Sequence, residues 1–227
     1  MHNPLSHKTL LPACRAFRGL AAALVAVPVV AACAVPTART HPAKELYLTF
    51  DDGPGGATAG ILDVLKANQA QATFFAIGRN LAAHPGLARR EIAEGHVLSG
   101  HTWSHPDLTR LGPTELAGQL DRSMAAVRDA GSDSTCLRPP YGAVDETVRH
   151  ALGERGLRSV RWNVDSADWR EPSARAIADR LVADAYPGAV VLLHDGGGDR
   201  ARTVAALRLA LPELRAKGYV FRPVPGC

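Results

Sequence analysis

The chain has 227 residues, with 26 Lys and Arg against 22 Asp and Glu and a formal net charge of +4. Lys8, Arg15 and Arg18 supply most of that excess, and beyond residue 32 the balance is 23 basic to 22 acidic. This argues against a nucleic-acid partner, and the length suits one domain with a sizeable core.

The basic lead is followed by an apolar run, Gly19 to Ala32, and then by small residues around Cys33. The run is short for a spanning helix and ends in Ala-Ala-Cys, so residues 1–32 read as a secretory signal, with a retained membrane anchor as the alternative. Val30-Ala31-Ala32-Cys33 resembles a lipobox, in which Cys33 becomes a lipidated terminus. Cleavage at a plain small-residue site nearby is the competing reading. Either way the protein is expected to be secreted or held on the outer face of the membrane. Residues 33–44 read as a short polar linker, and 45–227 as one domain, expected to be monomeric. Of four cysteines, Cys14 and Cys33 belong to the leader and its edge. Cys136 and Cys227 remain, and in an oxidising compartment they are expected to pair; two independent thiols are the alternative.

Strand-like apolar runs are predicted at 46–50, 72–77, 96–99, 136–138, 158–164, 189–193 and 219–222. Helical periodicity falls between them. Ile61, Leu62, Val64 and Leu65 share one face, and Leu87, Ile92 and Ala93 another. Leu116, Leu120, Met124 and Val127 follow, then Ile177, Leu181 and Val182, then Val204, Leu207, Leu211 and Leu214. Repeated β–α alternation predicts an α/β fold with a parallel sheet. About seven such units favour a distorted (β/α) barrel over an open doubly wound sheet.

Polar clusters sit just after the strands. Asp51 and Asp52 follow the first, and His101 and His105 follow Val97-Leu98-Ser99. Arg138-Pro139-Pro140-Tyr141-Gly142, Asp165 with Asp168, and His194 with Asp195 follow later ones. The carboxyl ends of parallel strands are where catalytic groups gather in such barrels.

Two adjacent carboxylates at a strand tip repel unless a positive group lies beside them. His101 and His105, four apart, can grip one ion if they share a helical turn. One aspartate would complete a His₂Asp set with open positions, suiting zinc, with cobalt or nickel as alternatives. Strand alternation points Asp51 and Asp52 in different directions, so one can bind metal while the other faces the reacting water. Spacing does not decide which. Arg138 can orient the free aspartate, and the Tyr141 N–H can face an oxyanion. Asp168 can set the tautomer of His194 as a general acid. Trp169 reads as a platform for a sugar face, as a pocket wall or as core.

Together these residues resemble the polysaccharide deacetylase family, the NodB-homology domain of carbohydrate esterase family four. The motifs are Thr49-Phe50-Asp51-Asp52-Gly53-Pro54, His101-Thr102-Trp103-Ser104-His105, Arg138-Pro139-Pro140-Tyr141-Gly142, Asp165-Ser166-Ala167-Asp168-Trp169 and Leu192-Leu193-His194. Ala72-Thr73-Phe74-Phe75 and Gly78 also match, and the resemblance spans roughly 45–222. It implies a distorted barrel, one divalent metal (usually zinc) and an acetylated glycan substrate. It makes Asp51 the base and Asp52, His101 and His105 the metal ligands. Arg138 then orients Asp51, Tyr141 lends its N–H to the oxyanion hole, and Asp168 tunes the acid His194. Trp169 and Leu192 line the acetyl pocket. Peptidoglycan is the first expected substrate, followed by chitin oligomers and acetylxylan, with a non-catalytic glycan-binding role as the other alternative.

Overall fold

The computed structural model describes residues 44–171 and 173–227. The expected leader, Cys33 and all of the linker but Lys44 lie outside these residues. Lys44 opens the first strand. The elements are β1 (Lys44–Asp51), α1 (Thr58–Ala67), β2 (Thr73–Ala76), α2 (Gly78–Ala83), α3 (Pro85–Ala93) and β3 (Val97–Gly100). Then come α4 (Pro113–Asp129), β4 (Cys136–Leu137), α5 (Glu146–Gly153), β5 (Arg158–Ser159) and β6 (Val164–Asp165). The last are α6 (Ala174–Ala183), β7 (Ala189–His194), α7 (Ala201–Ala216) and β8 (Tyr219–Phe221).

All strand pairs are parallel, in the order β5-β4-β3-β2-β1-β7-β6. β1 is central. β7 runs along it from Leu46 to Asp51 on one side. The other side is shared: β8 pairs with residues 44–46, and β2 takes over at 49–51. β8 thus fills the gap at the lower end.

The expected strand over 158–164 divides in two. Arg158–Ser159 pairs with β4, whereas Val164–Asp165 pairs with β7 at the opposite end of the strand order. Residues 160–163 therefore cross from one edge of the sheet to the other. Five residue steps reach at most about 18 Å, but seven flat strands would hold their edges roughly 29 Å apart. The sheet must curl until its edges approach, which gives the expected distorted barrel with one more strand than anticipated.

The helices bury the faces that periodicity marked, with one shift. Ile61, Leu62 and Leu65 of α1 are buried, as are Leu207, Leu211 and Leu214 of α7. In α3 the inward residues are Ala88 and Glu91, while Ala93 is exposed. Periodicity missed this because it counts Glu91 as polar, and the fold turns that carboxyl inward. Asp145 caps α5 by accepting the Val148 N–H at 2.8 Å, which satisfies one of the donors a helix start leaves open. Cys136 and Cys227 are bridged, with Cα atoms 5.3 Å apart. The C-terminus is thereby fixed to the strand that leads into Arg138.

Candidate active site

A uniformly parallel sheet puts every strand's carboxyl end on one rim. Asp51 ends β1, His101 follows β3, Arg138 follows β4, Asp168 follows β6 and His194 ends β7. β1 and β7 are neighbours, and Asp51 is level with His194.

Arg138 has the largest side chain among those fully buried. Its Nη1 donates to Asp51 Oδ1 at 2.7 Å and to Thr49 Oγ1 at 2.8 Å. Nε donates to the Val160 carbonyl and Nη2 to that of Arg161. The guanidinium also lies 4.1 Å over the Phe75 ring. A buried cation with this many partners fixes the carboxylate beside it. One oxygen of Asp51 is thus taken, and Oδ2 remains, 3.8 Å from His101 Nε2.

Asp52 has a different environment. Its Oδ1 lies 3.5 Å from His101 Nε2 and 3.3 Å from His105 Nε2. Ligand atoms of the three residues fall within 4.8 Å of one another. His101 Nδ1 meets the Arg138 carbonyl at 2.5 Å. A carbonyl only accepts, so Nδ1 carries the hydrogen and Nε2 of the neutral ring presents a lone pair. Burial pushes His101 below the ordinary imidazole value, against the pull of Asp51 and Asp52, which favours that neutral form. A lone pair then faces a buried carboxylate oxygen that has no hydrogen-bond partner among the described residues. Two electron-rich atoms in such contact call for a cation between them. A zinc ion with ligands at ~2.0–2.1 Å in tetrahedral array holds them roughly 3.4 Å apart, close to these separations. The residues fit a divalent metal.

Two local expectations are corrected. Asp51 and Asp52 do not diverge: both carboxylates approach His101 Nε2. Alternation holds only within a strand, and Asp52 lies past its end with φ of 74°. Nor do His101 and His105 share a helical turn. Residues 101–105 form a loop, with left-handed backbone at Thr102 (φ 68°) and His105 (φ 66°). Their rings still converge, with centroids 4.9 Å apart. Such conformations cost ~1–3 kcal/mol each outside glycine, and side chains hold them. Gln119 Oε1 accepts the N–H groups of Trp103 and Ser104, and Thr102 Oγ1 accepts that of His105.

Tyr141 also has positive φ, at 60°, and its ring sits edge-on to His105 with centroids 4.8 Å apart. The residue is 70% exposed. The turn's own hydrogen bonds come from the Gly142 and Ala143 amides.

On the β7 side, His194 Nδ1 meets Asp168 Oδ1 at 2.7 Å. Asp168 Oδ2 accepts the His194 backbone N–H at 2.9 Å and the Thr203 hydroxyl at 2.8 Å. Burial disfavours the His194 imidazolium, but the bond to Asp168 and the charges of Asp168, Asp51 and Asp52 outweigh it, and the pKa is raised. Burial likewise opposes the Asp168 carboxylate, yet the His194 and Thr203 bonds leave its pKa lowered. Trp169 is half exposed after β6, and Leu192 is buried in β7 level with Asp165.

Thr49, named only as part of the first motif and given no role, and Thr203, Asn80 and Gln119, not singled out in the sequence, support the site. Thr49 had a signal, since it lies two residues before Asp51 and so shares its face of β1. Asn80, which donates to the Asp52 carbonyl at 2.8 Å, and Thr203 had none.

Residues 38–160 match the family model described as polysaccharide deacetylase. The chain is 41% identical over 189 residues to the peptidoglycan-N-acetylglucosamine deacetylase PgdA of Listeria monocytogenes. That match covers 82% of this chain and 39% of the relative, so the chain spans about two fifths of that relative's length. It is 39% identical to a chitooligosaccharide deacetylase of Bradyrhizobium, over 80% of this chain and 90% of the relative. Among solved structures, the Bc1960 peptidoglycan N-acetylglucosamine deacetylase superposes with a TM-score of 0.76 at 36% identity. That superposition covers 81% of this chain and 87% of that one. The rim geometry, the motif order and these likenesses agree: the chain belongs to the polysaccharide deacetylase family.

Proposed function

We propose that this chain is a metal-dependent deacetylase that hydrolyses N-acetyl groups of a cell-wall glycan, with peptidoglycan N-acetylglucosamine as the favoured substrate. The observation that carries this reading is the division of labour between the aspartates: Arg138 holds Asp51, while Asp52 faces two histidines. Asp52, His101 and His105 would hold one divalent cation, zinc by preference, which supplies Lewis-acid polarisation of a carbonyl oxygen and of water.

The chain's own residues do the rest. Asp51 accepts the proton of the attacking water at Oδ2, the oxygen that Arg138 leaves free. The Tyr141 N–H donates to the developing oxyanion. His194, oriented through Nδ1 by Asp168, donates a proton from Nε2 to the departing amine, and acetate leaves. Trp169 and Leu192 flank the acetyl group. The base and the acid each contribute typically ~10²–10⁴-fold.

Chitin oligomers are the second substrate reading, favoured by the Bradyrhizobium relative, nearly all of which this chain covers. Acetylxylan would use the same groups on an ester. The protein would meet any of these outside the cell, freely secreted or attached through a lipidated Cys33.

Acetate release from purified peptidoglycan, chitin oligomers and acetylxylan, with and without a chelator, tests the proposal. Chelator-sensitive release that is fastest from peptidoglycan is expected. Bound metal with no acetate from any of the three would leave a glycan-binding role instead.

A further inference from the structure

Asp195 follows His194 at the end of β7, and it is buried. Nothing in the chemistry above uses its carboxylate, which nevertheless organises the loop carrying Asp52. Its Oδ2 accepts the Thr58 hydroxyl at 2.5 Å. Thr58, the first residue of α1 and fully buried, in turn accepts the Gly55 N–H at 2.8 Å. The Asp195 N–H donates to the Asp51 carbonyl at 3.1 Å. One residue therefore joins the end of β7, the end of β1 and the start of α1.

The packing is as specific as the hydrogen bonds. A Cβ on Gly53 would stand 1.9 Å from Asp195 Oδ2. Gly53 is not among the residues with positive φ, so its missing side chain reflects the space Asp195 occupies and not backbone freedom. The next two residues continue the wrap. A Cβ on Gly196 would meet the Asp52 carbonyl oxygen at 2.2 Å, and one on Gly197 would meet Asp52 Oδ2 at 2.5 Å. Asn80 also donates to the Asp52 carbonyl, and the Ile77 N–H donates to that of Gly53 at 3.0 Å. Asp52 sits inside this clasp with a φ of 74°, a left-handed conformation uncommon outside glycine.

We infer that Asp195 is a positioning residue which, through Thr58 and by filling the space over Gly53, holds residues 52–57 so that the Asp52 carboxylate faces His101 and His105. This rests on the metal-site reading above. Partners behind a metal ligand typically set affinity by ~10–100-fold.

The test uses the full chain and the variants Asp195→Ala, Asp195→Asn and Thr58→Val. Zinc affinity is measured by competition with a chromophoric chelator, the visible spectrum of the cobalt(II) form is recorded, and metal-free protein is melted separately. Asp195→Ala and Thr58→Val should bind zinc ~10–100-fold more weakly and change the cobalt spectrum. Asp195→Asn keeps an acceptor for Thr58 and should restore most of the affinity. If Asp195→Ala does not fold, Thr58→Val decides. Folded Asp195→Ala or Thr58→Val with wild-type zinc affinity and an unchanged cobalt spectrum, altered only in melting temperature, overturns the inference. Wild-type protein that binds no zinc overturns the metal reading as well, and the wild-type titration shows that separately.

Discussion

The two halves of the rim are built on different principles. Around β1, β3 and β4, the loop residues Asp52, Thr102, His105 and Tyr141 all adopt positive φ. There a buried carboxylate oxygen of Asp52 lacks a hydrogen-bond partner among the described residues. Around β6 and β7, His194 still belongs to a regular strand, and Asp168 accepts three hydrogen bonds. The first half calls for a cation at Asp52, whereas Asp168 has its hydrogen bonds met within the protein. Even so, Ala167 beside Asp168 also has positive φ (57°), and Asp195 Oδ1 beside His194 lacks a partner among the described residues. At the proposed metal site the unmet need falls on the residues that would hold the ion, whereas the proton donor is oriented by a carboxylate whose own hydrogen bonds are met.

The sharpest break of this contrast removes a ligand. His101→Ala or Asp52→Ala should abolish stoichiometric zinc and with it nearly all acetate release; retained tight zinc in either variant would move the metal elsewhere. Next in size, Asp51→Asn should cost ~10²–10⁴-fold in kcat/KM while zinc, measured by metal analysis, stays bound. His194→Ala should lose a comparable factor and also keep its zinc. Zinc-induced stabilisation provides a third comparison. Zinc at a hundred times its Kd should stabilise wild-type protein by ~2.7 kcal/mol. The same gain should appear in His194→Ala and vanish in His101→Ala, as read by thermal melting.

The smallest expected effect is a shift in pH profile. The raised pKa of His194 keeps the imidazolium present above the ordinary value near 6.5. Activity that needs this proton is full below the raised pKa and falls as pH rises through it. Asp168→Asn removes the main group that raises it, so the basic limb of kcat/KM should move to lower pH. An unmoved limb would assign that titration to another group.

Much of this was legible in the sequence because its signals were local. Ile61, Leu62 and Leu65 announced α1 by spacing alone, and the polar residues clustered where apolar runs stopped. Local rules failed where the chain left regular structure. Alternation could not foresee that Asp52 turns back towards His101, nor could helical spacing reveal that His101 and His105 meet across a strained loop. The run 158–164 looked like one strand because its apolar pattern is continuous; only closure of the sheet divides it. Asp195 and Thr58 are 137 positions apart, and Arg138 and Asp51 are separated by 87. Partners at such distances leave no periodic trace in a single sequence, although the residues suggested that Arg138 holds one of the aspartates and the resemblance chose Asp51.

The bridge between Cys136 and Cys227 closes a covalent ring across a separation of 91 residues. Arg138, Tyr141, Asp168 and His194 all fall inside that ring, and Asp52, His101 and His105 fall outside it. By the chain-entropy account, a ring of this size restrains the unfolded chain by roughly 4–5 kcal/mol. That is a large share of the ~5–15 kcal/mol by which domains typically resist unfolding. A thiol-rich milieu would remove this restraint, so the same polypeptide would be a sturdier object in oxidising surroundings than in reducing ones.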